Sequence, residues 1–233
     1  MEYSATEAAY RELIATARGM ARAGLVDAFG HVSVRTSIDQ VLLTPPVPLA
    51  WLTADDAPAD LSLGAVDLPA KAPKEAWIHI AVYERHAEAG AVCRAQPKAV
   101  AAMAALGRVP AALNGHAAMI GPIALYADSR LIRDRQTAEA LVSSSGDARA
   151  IMLRGNGAVT WGRDAREALA RMWILERSAE LHLRASSAGP TSELPAEEQV
   201  WWREHAAELL PRVGRYLELD SSGGTPRQKS FRE

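Results

Sequence analysis

The sequence predicts an α+β fold, on three observations. Helical and strand-like periodicities follow one another irregularly, without the strand–helix–strand rhythm of a parallel sheet. The strand-like stretches are short, and two of them flank an Asn-Gly turn, a strong hairpin signal. A chain of 233 residues with 48% apolar content can bury one sizeable core. The expected organisation is a single domain over residues 1–220 and a tail, 221–233, whose composition favours disorder.

Residues 6–23 read as a helix, with Thr6 as N-cap and Ala9, Leu13, Ile14, Ala17 and Met20 on one face. Residues 32–36 and 41–44 read as strands, and Pro45-Pro46-Val47-Pro48 as a rigid loop. Pro73 opens a second helix whose buried stripe is Trp77, Ile78, Ala81 and Val82. Residues 89–93 form a short buried strand and 98–106 a helix. Residues 137–144 are helical, and strands at 150–153 and 158–161 flank Arg154-Gly155-Asn156-Gly157. Asp164 caps a long helix to about residue 185, and a last helix spans about 195–212. The adjacent Trp201 and Trp202 cannot both face one core, so one of them is expected to meet another subunit or the substrate.

Composition excludes several functions. A net charge of −2 gives no electrostatic case for nucleic acid or an acidic membrane. No apolar run reaches membrane-spanning length, and the first residues lack the pattern of a signal peptide. Cys93 is the only cysteine, which rules out intrachain disulfides and makes cysteine-based zinc sites implausible. The chain reads as soluble and cytoplasmic.

Gly30-His31 places a titratable imidazole on a turn between the first helix and an alternating strand, a setting suited to substrate anchoring or proton transfer. Glu75 and His79, four residues apart on one helix, share a face and suit acid–base chemistry or part of a metal site. There is no glycine-rich phosphate loop and no Gly-x-Ser-x-Gly elbow.

The stretch Gly30-His31-Val32-Ser33-Val34-Arg35, preceded by Gly24-Leu25-Val26-Asp27, resembles a signature of the class II aldolase/adducin family, nearer its decarboxylase-like branch. Lys71 to Tyr83 resembles the family's segment bearing the acid/base glutamate, which falls on Glu75. Ala91 to Pro97 resembles its Val-Val-His-x-His-Pro strand, and Leu153 to Val159 its Leu-x-Asn/Gly-His-Gly segment. The resemblance implies a three-layer fold with a mainly antiparallel central sheet flanked by helices. It also implies a homotetramer with active sites between adjacent subunits.

The departures bear on chemistry. Where the family has three histidines for a divalent metal, this chain has Arg94, Gln96 and Asn156. Arginine stays protonated, and the two amides are weak neutral ligands. The expectation is therefore no metal and no other cofactor, with Arg94 either supplying the cation that stabilises an enolate or carboxylate, or pairing with Glu75 to fill the space. Gly30-His31, Pro45-Pro46-Val47 and Pro73-Lys74 stand where the family's aldolases bind phosphate, which weakens the case for a sugar phosphate.

The expected activity is carbon–carbon lysis, by decarboxylation or retro-aldol cleavage, of a small hydroxy- or oxo-carboxylate. Glu75, His31 and Arg94 are the expected catalytic residues. Ser33, His79, Gln96, Asn156, His116 and Tyr126 are the expected substrate-binding residues, with His116 and Tyr126 read on loops. The alternatives are a non-catalytic adducin-like assembly module and an epimerase or dehydratase of a small sugar-like acid.

Overall fold

The computed structural model describes residues 5–219; the expected tail, 221–233, lies outside them. The chain enters through helix α1 (Ala5–Arg22), whose apolar face at Leu13, Ala17 and Met20 is fully buried. Thr6 is not the cap of this helix: it lies within the first turn, one residue after the start. Strands β1 (His31–Arg35), β2 (Gln40–Leu43) and β3 (Ala59–Ser62) follow, then helix α2 (Ala76–Arg85), strand β4 (Ala91–Ala95) and helix α3 (Lys98–Ala105). The five-residue helix α4 (Gly115–Met119), strand β5 (Ala124–Tyr126) and helix α5 (Arg135–Ser143) lead to the hairpin of β6 (Ala150–Leu153) and β7 (Ala158–Gly162). Helices α6 (Ala165–Ala188), α7 (Ala196–Glu204) and α8 (Ala206–Leu219) close the described chain.

The strands form one seven-stranded sheet in the order β3-β2-β1-β4-β7-β6-β5. Every neighbouring pair is antiparallel except β5 with β6. Side chains alternate across a strand, so each strand serves both faces of the sheet. Val32, Val34, Cys93 and Met152 point to one core, shared with α1, α3 and α6. Leu43, Val92, Ile151 and Trp161 point to the other, shared with α2 and α5. The result is three layers, helix–sheet–helix, as the sequence led us to expect.

Three local readings are corrected. Residues 195–212 do not form one helix: the path breaks at His205, and α7 packs on α4 while α8 packs on α6 and α1. Tyr126 lies in β5 and His116 in α4, where Asn114 caps the helix by accepting from the Ala117 amide. Strand β3 was not foreseen; its alternation runs over only four residues, too short to stand out from a loop.

Of two aspartate N-caps, Asp164 acts as read and Asp134 is an addition from the structure. Asp164 accepts from the Glu167 amide and starts α6, and Asp134 accepts from the Thr137 amide and starts α5 two residues earlier than expected. Of the two tryptophans, Trp202 packs over Gly115, where any Cβ would stand 2.2 Å from its ring. Trp201 is 51% exposed and stacks on His205.

Candidate active site

The site is built where the sheet face under α2 meets the β6–β7 turn. His31 on β1 and Arg94 on β4 are cross-strand partners, so their side chains leave the same face side by side. Gln96 lies two residues beyond Arg94 on the same alternation. Glu75 sits at the N-terminal boundary of α2, and its carboxylate makes no capping bond to that helix. It reaches across to the strands instead. Asn156 arrives from the β6–β7 turn, between Gly155 and Gly157, both with φ of 77°. That left-handed conformation favours glycine. At Gly157 a Cβ would also meet the Ala95 carbonyl at 2.0 Å, so the turn sits directly on the end of β4.

These five side chains form one connected cluster. Arg94 Nη2 lies 3.2 Å from Glu75 Oε2 and donates to Glu75 Oε1 at 3.3 Å. Asn156 Oδ1 accepts from Arg94 Nη2 at 2.6 Å and from Gln96 Nε2 at 2.8 Å, while its Nδ2 donates to Glu75 Oε1 at 2.9 Å. This amide orientation satisfies both ends of Asn156. His31 Nε2 approaches Glu75 Oε2 at 3.6 Å, a close ion–dipole contact longer than a hydrogen bond.

The electrostatics follow from this packing. Burial alone would raise the Glu75 pKa, but His31, the Arg94 charge and the Asn156 amide outweigh it and hold the carboxyl at about 2. Glu75 is therefore ionised at neutral pH. Burial pushes the His31 pKa down, with Glu75 opposing and Arg94 adding to the fall, so the ring is neutral. Arg94 has 1% of its side chain exposed, and its Nε and Nη1 have no hydrogen-bond partner among the described residues.

A cleft of about 500 Å³ opens over the cluster. Its floor holds His31, Glu75, Arg94, Gln96 and Asn156. Phe29, Val47, Pro46, Pro73 and Leu131 give it apolar walls, and the exposed Lys74 and Arg133 add two cations.

The sequence-derived residues divide cleanly. His31, Glu75, Arg94, Gln96 and Asn156 come together on the cleft floor. Ser33 and His79 are fully buried behind His31 and do not line the cleft, so they support it rather than wall it. His116, exposed on α4, and Tyr126 on β5 line no part of this cleft within the described chain. Trp201 and Trp202 also lie elsewhere.

Phe29, Lys74 and Arg133 belong to the cleft but were not foreseen as site residues. Lys74 is adjacent to Glu75, which was a usable signal. Arg133 comes from a loop with no periodicity to reveal it.

Among the described residues no group of three or more histidine, cysteine, aspartate or glutamate side chains is placed to hold a metal ion. Arg94, Gln96 and Asn156, the positions at which the resemblance implied metal ligands, do converge. At their centre is a guanidinium nitrogen bonded to Asn156.

Residues 11–183 match the Class II Aldolase and Adducin N-terminal domain, and the chain belongs to that family. It is a lyase of the class II aldolase type. A 3,4-dihydroxyphthalate decarboxylase from Terrabacter sp. (strain DBF63) is 32% identical, over 87% of this chain and 98% of its own. Another, from Arthrobacter keyseri, is 30% identical over 79% of this chain and 82% of its own. In fold, the chain is similar to an L-fuculose 1-phosphate aldolase from Glaciozyma antarctica PI12, with a TM-score of 0.75, 19% identity and 94% of each chain covered. It is also similar to an aldolase II superfamily protein from Pseudomonas syringae, with a TM-score of 0.76, 23% identity and coverage of 95% and 96%.

Proposed function

We propose that this protein decarboxylates a small hydroxylated aromatic dicarboxylate, without a divalent metal, in an oligomer whose subunits share their active sites. The observation that carries the reading is the Glu75–Arg94–Asn156 cluster: an ionised proton acceptor held against a buried, permanent cation at the floor of a cleft. The donor set at Arg94, Gln96 and Asn156 does not suit a divalent metal, because a guanidinium offers no lone pair and repels a second cation. The apolar walls suit an aromatic ring. Arg94, Lys74 and Arg133 against one carboxylate suit a ligand with more than one negative charge. The relatives named as 3,4-dihydroxyphthalate decarboxylases point the same way, as that compound bears two carboxylates and two hydroxyls on one ring.

Glu75 takes the proton of the hydroxyl next to the departing carboxylate, and the resulting oxyanion lies against Arg94. The ring electron pair then takes that proton from Glu75 at the carbon bearing the carboxylate. The carbon–carbon bond breaks, carbon dioxide leaves, and its electron pair restores the aromatic phenolate, which solvent protonates after release. Arg94 stabilises the oxygen throughout, since negative charge there precedes and follows bond breaking. An anion that draws Arg94 towards itself also removes one interaction holding the Glu75 pKa low, so substrate binding makes Glu75 a stronger base.

The test is a screen of the purified protein for carbon dioxide release from hydroxylated phthalates and hydroxybenzoates, and for aldehyde release from sugar phosphates, with and without chelator. Release from a hydroxylated phthalate, undiminished by chelator, is the expected result. Cleavage of a sugar phosphate in preference would overturn the substrate class, and strict dependence on an added divalent metal would overturn the metal-free reading.

A further inference from the structure

Behind the cleft runs a file of four buried polar side chains that the proposed reaction does not use directly. His31 and Ser33 are two apart on β1 and share its face, and His79 and Tyr83 are four apart on α2 and share its face. The two periods interleave. His31 Nδ1 and His79 Nε2 are 2.7 Å apart, His79 Nδ1 and Ser33 Oγ 2.6 Å, and Ser33 Oγ and Tyr83 Oη 2.9 Å. Ser33 and His79 are fully buried, and His31 and Tyr83 nearly so.

Each contact needs one donor and one acceptor, so the direction of one bond fixes the next. Two ends decide it. At the cleft, His31 Nε2 faces the ionised Glu75 carboxylate at 3.6 Å, which favours a proton on Nε2. At the far end, a Tyr83 hydroxyl that accepted from Ser33 would leave its own hydrogen buried without an acceptor, a costly arrangement. Both ends select the same order. Tyr83 O–H donates to Ser33, Ser33 O–H to His79 Nδ1, and His79 Nε2–H to His31 Nδ1, leaving the His31 proton on Nε2. Burial also holds both rings below their ordinary pKa, most strongly at His79, so each carries a single proton at neutral pH.

We propose that Tyr83, Ser33 and His79 are positioning residues that fix His31 as its neutral Nε2–H tautomer, so that His31 meets the cleft as a hydrogen-bond donor and not as a base. The file is one-way: passing a proton along it to the cleft would leave Tyr83 as a buried anion, which burial strongly disfavours. His31 therefore assists Arg94 in holding an anionic oxygen, while proton transfer falls to Glu75.

The inference concerns a protonation state and does not require the decarboxylase reading. Its test is a long-range proton–nitrogen spectrum of the protein labelled with ¹⁵N-histidine, at neutral pH. The six histidines give few signals, and the His31 and His79 signals are assigned by their loss in His31→Gln and His79→Gln. The expected spectrum shows both rings with Nε2 protonated and Nδ1 bare. Ser33→Ala should convert His31 from one tautomer to a mixture, and Ser33→Thr, which keeps the hydroxyl, should restore the single form. A wild-type His31 protonated on Nδ1, or on both nitrogens, overturns the inference whether or not any variant folds. A folded Ser33→Ala protein with an unchanged His31 signal overturns the part assigned to Ser33.

Discussion

The proposed reaction asks two competing things of Glu75. Its pairing with Arg94 and Asn156 holds the cleft floor together, and the proposed proton transfer requires it to leave that pairing. Replacing it with glutamine keeps the size and the hydrogen bond with Asn156 but removes the charge. Glu75→Gln should therefore lower turnover by about 10²- to 10⁴-fold, as loss of an acid–base group does, while the far-ultraviolet spectrum stays that of the folded protein. A variant retaining more than a tenth of wild-type turnover would take Glu75 out of the mechanism. Arg94→Met is predicted to damage both activity and folding, because it leaves the largely buried Glu75 carboxylate without its cation. Stability and kinetics measured on the same preparation separate the two effects.

Acid stability belongs to the same scale. Glu167 is held at about 2 like Glu75: burial would raise it, but Arg171 at 2.7 Å and Arg163 at 2.9 Å outweigh that. Both pKa values are lower folded than the ordinary 4.5. The unfolded chain thus binds more protons as the pH falls, and the stabilisation, full above about pH 5, disappears towards pH 2. For Glu75 this amounts to roughly 3 kcal/mol. Urea unfolding at pH 6, 4 and 3 should show a steep decline that Glu167→Gln flattens. A flat profile in the unmodified protein would show that neither carboxylate is held low.

Elements explain which side chains could be foreseen. Glu75 follows from its helical spacing with His79 and His31 from a turn read just before a strand, whereas Arg94, Gln96 and Asn156 follow only from the family resemblance. Residues on short or irregular pieces escape. His116 and Tyr126 read as loop residues because α4 and β5 have five and three residues, too few to show a period. Arg133 has no pattern around it at all. The His31–His79–Ser33–Tyr83 file is half legible: each pair has the right spacing, but only the packing of α2 on β1 shows that they interleave.

The β6–β7 turn gives an element-scale prediction. Gly157→Ala must relieve a 2.0 Å approach to the Ala95 carbonyl and a left-handed φ together. It should displace Asn156, cost roughly 1–3 kcal/mol and weaken substrate binding through Gln96 and Arg94. Thermal unfolding and KM measure the two parts. Unchanged values for both would mean that the turn is looser than described.

At the scale of the whole molecule, the sheet has two unlike faces. One is mainly apolar where it meets α1, α3 and α6, broken by Thr160, which donates to the Ala168 carbonyl. The other carries the polar file and the cleft as well as its own apolar core. The fold, its layers and its mainly antiparallel sheet were legible because they follow from pattern and from the family resemblance. The arrangement of subunits is not written in one chain's periodicity. Among the described residues, no helix is long and apolar enough to cross a membrane. Trp201, half exposed on α7, is the residue we expect a neighbouring subunit to cover. Trp201→Ala should shift sedimentation towards smaller species, and an unchanged oligomer would place the contact elsewhere.

The pairing of His31 with Arg94 across β1 and β4 has a consequence for how the protein is assembled. A slip of one residue between these strands would turn one of the two towards the opposite layer. If Arg94 were the one to turn, its guanidinium would be driven into the neighbourhood of Leu, Met and Ala side chains with no acid to meet it. The buried Arg94 charge thus makes the wrong alignment costly, and a chain that reaches the end of folding with its cluster intact has, by that fact, threaded its central strands correctly.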